Sequence, residues 1–243
     1  MKRFWNSAEA APDDRDAGWR VLLDGKPMRL PGGTPLLVER RALAEAIADE
    51  WRVAGGEIGG EMSYRDVPLT RLAGTAQERI APDAEPVILE ISRYGESDLL
   101  CYRAEMPEAL VRRQAAAWDP WLDWAAETLG ARLLVTNGIV HVAQEPAAMA
   151  VLARAVARYD AAGLAALGVL VPSLGSLVLG LAVARGALAA EDAYAASAID
   201  ETFQAELWGE DAEAAARRRQ AREDVLLAGR FLALCAPAGG EDQ

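Results

Sequence analysis

Histidine and cysteine are almost missing from this chain of 243 residues: His141 is the only histidine, and Cys101 and Cys235 are the only cysteines. A single imidazole reduces every histidine-dependent catalytic design to one candidate. That candidate alternates with Val140 and Val142 in an expected strand, where a structural or solvent-facing ring is favoured over a base. Two cysteines far apart in the chain, each among apolar neighbours, do not make a disulfide framework, and they point to a reducing compartment. With one histidine they cannot form a structural zinc set either. Cys101, beside Tyr102, reads as a small buried hydrophobe rather than a nucleophile.

Other absences narrow the field further. The sequence contains no G-x-x-x-x-G-K-[ST] phosphate loop, no G-x-G-x-x-G fingerprint and no G-x-S-x-G elbow. Positive charge is scarce as well. Lys and Arg total 25 against 37 Asp and Glu, a formal net charge of −12, which counts against nucleic-acid binding and against an anionic membrane surface. The amino terminus, Met1 to Asn6 followed by Glu9, Asp13 and Asp14, lacks an apolar signal core and is too acidic for a transit peptide. The chain is therefore expected to stay where it is made, most simply in a bacterial cytoplasm. Residues 161–184 carry no charge and are long enough for a membrane span. However, Pro172-Ser173-Leu174-Gly175-Ser176 divides them, and no basic cluster flanks them. Two buried helix pieces are expected, without membrane insertion.

What remains reads as an α+β protein: a small β-containing amino-terminal domain, residues 1–80, before a larger, mainly helical domain, residues 81–243. Trp19–Leu23, Asp24-Gly25 and Lys26–Leu30 spell a β-hairpin with a two-residue turn. Pro27 makes its second strand an edge or irregular, and Pro35–Val38 could add a third. Helices are expected over Arg40–Ala54, from Val67-Pro68 through Ile80, over Pro86–Tyr94, over Glu108–Leu129, and throughout the alanine-rich sequence from Pro146 onward. Asp119-Pro120 either kinks the fourth of these or starts a fresh helix. A short strand is expected at Leu99–Tyr102, a strand pair with an Asn-Gly turn at Leu133–Val142, and a frayed tail at Ala236–Gln243.

The segment from Ile199 to Asp211 is the most informative stretch. At about 100° per residue, Ala196, Ile199, Phe203 and Leu207 form one apolar stripe, while Glu201, Gln204 and Trp208 share another face. Gly209 is a natural stop, and Glu210 and Asp211 suit the start of a second helix running to about Leu234. Such a patch can be an ordinary helical turn with a half-buried tryptophan or an anchor for a protein partner. Of the seven tryptophans, Trp51, Trp118 and Trp121 lie on core stripes. Trp5, Trp124 and Trp208 are the candidates for exposed anchors, though each could instead cover a core edge. Glu201, Glu206, Glu210 and Asp211 also raise an alternative, a carboxylate-dependent hydrolase, since paired acids can hydrolyse without histidine.

Several stretches, taken in order, carry a resemblance. They are Arg3-Phe4-Trp5, Val21 to Pro27, Leu43 to Trp51, Val67 to Ala76, Asp98 to Ala104, Gln114 to Pro120, Gly175 to Leu179, and Glu201 to Asp211. Together they resemble the Atp12-type chaperones that assemble the F1 sector of ATP synthase. The resemblance implies a protein with no enzymatic activity or nucleotide, whose partner is the unassembled F1 α subunit; a monomer without cofactor or metal is expected. The resemblance also implies that the exposed interface of that subunit is shielded until it pairs with β. The family's acidic carboxy-terminal segment carries over to Glu201, Glu206, Glu210 and Asp211, with Gln204, Trp208 and Trp124 beside them as partner-binding candidates.

Overall fold

A computed structural model describes residues 1–13, 17–138 and 140–237, and its chain divides into two compact units. One comprises Met1–Ala84 with Arg230–Gln243; the other is Glu85–Gly229.

The first unit is built on the predicted hairpin. Strand β1 (Ala8–Pro12) pairs antiparallel with β2 (Trp19–Leu23), which in turn pairs with β3 (Lys26–Pro27) and β4 (Leu37–Val38). Asp24 and Gly25 both adopt positive φ, +48° and +75°, as a tight primed turn demands. β3 is a two-residue edge, where the missing amide of Pro27 costs no ladder bond. Strand β1 was not legible: its sequence, Ala-Glu-Ala-Ala-Pro, has low strand propensity. It is placed from outside, because the Asp24 carboxylate accepts the amides of Asn6 at 3.0 Å and Ser7 at 2.9 Å.

Helix α1 (Arg41–Val53) covers this sheet with Leu43, Ile47 and Trp51 inward, and Gly55 and Gly56 follow its end. Helix α2 (Pro68–Thr75) continues as a wider π-type turn, Ala76–Ile80. Its first amides, Leu69 and Thr70, donate to the Glu50 carboxylate at 2.6 and 3.0 Å. The Thr70 hydroxyl donates to Glu50 and accepts from Trp51 Nε1, and Trp5 Nε1 donates to the Trp51 carbonyl. Trp5 is thus fully buried, its ring 4.8 Å from that of Trp51. The reading of Trp5 as a candidate exposed anchor is corrected. A tryptophan whose indole N–H finds a partner belongs in a core.

Among its described residues the second unit is helical apart from one short parallel pair, β5 (Tyr102–Arg103) with β6 (Thr136–Asn137). Its helices are α3 (Glu85–Arg93), α4 (Glu108–Trp124), α5 (Pro146–Val156), α6 (Ala161–Leu174), α7 (Leu177–Ala184), α8 (Ala190–Ser197), α9 (Ile199–Trp208) and α10 (Ala212–Cys235), the last contributing its final turns to the first unit. Helix α4 runs through Pro120 and extends as a π-type turn to Leu129, so the proline neither ends it nor starts another.

Two expectations for β structure are corrected. Leu99–Cys101 is a 3₁₀ turn capped by Asp98, not a strand. Leu133–Val142 forms no hairpin among its described residues, Ile139 lying outside them. The Gln144 side-chain amide instead both accepts from and donates to the Leu134 backbone, occupying the place of a partner strand. The expected frayed tail lies outside the described residues from position 238 onward.

The uncharged segment forms the buried pair α6 and α7, separated at Gly175, whose φ is +63°. Among the described residues no helix is long and apolar enough to cross a membrane. The two helices meet where Gly180 faces Val171: a Cβ there would sit 2.6 Å from Val171 Cγ2. Gly180→Ala should therefore destabilise by about 1–3 kcal/mol through overpacking, despite alanine's better helix propensity. Urea unfolding of the two proteins checks this.

Candidate functional site

Helices α8 and α9 are held by α4. The Trp118 indole, fully buried, donates to the Ala196 carbonyl at 2.8 Å. Buried Gln114 accepts the Ala104 amide at 2.8 Å and donates to Asp200 at 2.6 Å. The Arg113 guanidinium lies 5.1 Å from the centre of the Phe203 ring and pairs with Glu206 at 2.7 Å. Helix α10 is tied to α8 by the Tyr194 hydroxyl, which donates to the Arg218 carbonyl, and by a two-pronged bond from Arg222 to Glu191. Arginine forks of this kind fix geometry better than lysine could.

These supports leave a groove of about 530 Å³ between α9 and α10. Glu201, Gln204 and Trp208 line it from α9, Glu210 and Asp211 from the connection, and Arg217 and Arg218 from α10. A smaller recess of about 200 Å³ shares Glu201, Arg218 and Ala221 with it and reaches Leu99, Leu174 and Tyr194. The groove thus combines an aromatic rim, walls of both charge signs and a partly apolar recess.

The predicted stripe holds only in part. Ala196 and Phe203 are buried and Ile199 is half-buried, but Leu207 is 56% exposed and its neighbour Trp208 78% exposed. Helix α9 outruns the surface beneath it, so its last turn projects two large apolar side chains into solvent. Gly209 then turns the chain at φ +81°, a conformation closed to most side chains. Asp211 starts α10 as anticipated, its Oδ1 accepting the amides of Glu213 and Ala214 at 2.9 and 3.0 Å. Those two bonds hold its carboxyl below the usual range.

Of the sequence-predicted site residues, Glu201, Gln204, Trp208, Glu210 and Asp211 come together in the groove. Glu206 and Trp124 are not among its lining residues. Glu206 is held by Arg113, and Trp124 is half-buried, its ring 6.3 Å from that of Trp121 in an edge-on arrangement. Sequence reasoning missed Arg217 and Arg218 opposite the acids, although the run Arg217-Arg218-Arg219 was visible.

The arrangement suits adhesion better than acid–base work. Arginines engage Glu206 and Glu210, and backbone amides engage Asp211, whereas hydrolysis needs two carboxyls flanking one bond. Among the described residues no cluster of three or more His, Cys, Asp or Glu could hold a metal ion. Burial, with Asp98 nearby, pushes the Cys101 thiol up to about 12, which removes its nucleophilic form at neutral pH. His141 Nδ1 meets the Tyr102 hydroxyl at 3.0 Å.

Comparison with known proteins agrees with this geometry. Residues 2–126 match the model of the ATP12 chaperone protein family. The chain superposes on the crystal structure of Atp12 from Paracoccus denitrificans with a TM-score of 0.89, at 45% identity over 97% of this chain and 98% of that one. The Atu1473 protein of Agrobacterium tumefaciens matches with a TM-score of 0.86, at 41% identity over 96% of this chain and 85% of that one. Likeness at this level across nearly the whole length shows that the chain belongs to the ATP12 chaperone family.

Proposed function

We propose that this chaperone serves ATP synthase assembly in the bacterial cytoplasm, binding the unassembled F1 α subunit as a monomer and shielding its interface until β arrives. The observation that carries the reading is Trp208, an indole 78% exposed at the rim of a groove with charged walls. Indoles left in water beside shaped, polar-rimmed surface are typical interface anchors. An unassembled subunit exposes apolar area that aggregates. A partner that covers this area, then yields to the larger native contact, suppresses the loss by mass action. The engaged carboxylates of the 199–211 segment support this reading over a hydrolase.

Co-expression is the direct test. With this protein present, the F1 α subunit should move from the insoluble to the soluble fraction and co-elute with it at one-to-one stoichiometry on gel filtration. Equal insolubility of α with and without it would overturn the proposal.

A further inference from the structure

A second concavity, of about 220 Å³, lies elsewhere on the helical unit and has a different chemistry. It is lined by Thr128 and Leu129 from the end of the π-type turn after α4, Arg154 from the last turn of α5, Arg158 just beyond it, and Arg185 at the end of α7. No carboxylate lines it. Arginines elsewhere pair repeatedly with acids, as at Arg103–Asp119, Arg113–Glu206, Arg218–Glu210 and Arg222–Glu191. Among the described residues, Arg154, Arg158 and Arg185 make no ion pair. Arg185 lies close enough to Tyr159 to draw its phenol down, against the stronger upward push of burial.

Helix ends account for part of this charge but not all of it. The carboxy-terminal ends of α5, α7 and the turn that extends α4 each present about half a negative charge, roughly one and a half in total. Three guanidinium groups leave an excess of about one and a half positive charges around one small recess. A tetrahedral phosphate carries about −1.5 to −2 near neutral pH, and the planar arginine fork matches its oxygens. The Thr128 hydroxyl adds a further donor. We infer that the recess framed by Arg154, Arg158 and Arg185 binds a small phosphate-bearing anion.

Calorimetric titration of the intact protein with inorganic phosphate, at ionic strength held constant with sodium chloride, tests this. One saturable site is expected. The double variant Arg154→Gln with Arg158→Gln should weaken it about a hundredfold, at about tenfold per charged hydrogen-bonding group. Arg132→Gln, an exposed arginine outside the recess, serves as the control for net charge and should leave the affinity unchanged. A parallel titration with glycerol 3-phosphate distinguishes the source: tighter binding of the ester assigns the site to a phosphomonoester, and equal binding assigns it to the free anion. Absence of saturable binding, or equal losses in Arg132→Gln and the double variant, would overturn the inference. So would a double variant that binds phosphate as the wild type does. Thermal unfolding in chloride adds a separate check: if the arginines serve only the helix ends, the double variant melts lower and phosphate raises neither midpoint.

Discussion

On the proposed function, Trp208→Ala is expected to weaken capture of the F1 α subunit by about thirtyfold or more, the scale of an interface hot spot, while the thermal midpoint moves by no more than about 2 °C. The two halves of this expectation come from the same fact. A side chain 78% exposed leaves little packing to lose on truncation, and surface substitutions of that kind usually stay within about 0.5 kcal/mol. The surface it offers a partner is correspondingly large. Trp118 shows the opposite arrangement on the same unit: fully buried and bonded to Ala196, it belongs to the fold. The measurement is a pull-down titration of α against wild type and variant, with calorimetric melting of each alone. A variant that binds α as tightly as the wild type would remove Trp208 from the interface. A large drop in midpoint would make it a structural residue.

Asp98→Ala has the largest expected effect on stability, on the order of 4 kcal/mol. Asp98 is fully buried between two elements distant in sequence. Its Oδ1 accepts the Leu100 amide and its Oδ2 the Val178 amide, each at 3.0 Å, at the amino-terminal end of α7. Removing the carboxyl leaves buried amides at both elements without an acceptor, which costs far more than the net worth of a hydrogen bond. Burial pushes this carboxyl up to about 6 despite those donors and Ser176, which all favour the charged form. The sign follows from the folded value lying above the ordinary 3.8. Between about pH 4 and 6 the folded protein keeps a proton that the unfolded chain has released. The contribution of Asp98 to stability is therefore greatest below about pH 4, falls as pH rises through about 6, and is level above that, a change of about 3 kcal/mol. Asp98→Asn keeps one acceptor and cannot titrate. Its stability relative to wild type should accordingly rise between pH 4 and 6 when both are unfolded in urea. A difference independent of pH would contradict the raised value.

Much of the fold could be read where local chemistry and tertiary demand agree. The Asp24-Gly25 turn, the helix of Leu43, Ile47 and Trp51, the division of the uncharged segment and the start of α10 at Asp211 are local in origin. The failures share a different cause. Strand β1 has no propensity of its own and exists because Asp24 and β2 hold it. The hairpin expected after Leu133 was displaced by pairing with Tyr102-Arg103 and by the Gln144 amide. Trp5 read as a candidate exposed anchor because its partners, Trp51 and through it Thr70, lie 46 to 65 positions away in sequence.

The candidate site divides in the same way. That Trp208 stands off the apolar stripe, beside Glu201 and Gln204, follows from helical periodicity alone. So does the role of Asp211 at a helix start, because a side chain bonding amides two and three residues ahead is a local event. Which acids face the groove, and which are held by Arg113 or Arg218, was decided only when α4, α9 and α10 packed together. The convergence of Arg154, Arg158 and Arg185 on one recess is likewise tertiary, since helix ends that meet in space carry no mark of the meeting in the order of their residues. Periodicity assigns a face to each side chain; only packing supplies the neighbour across from it.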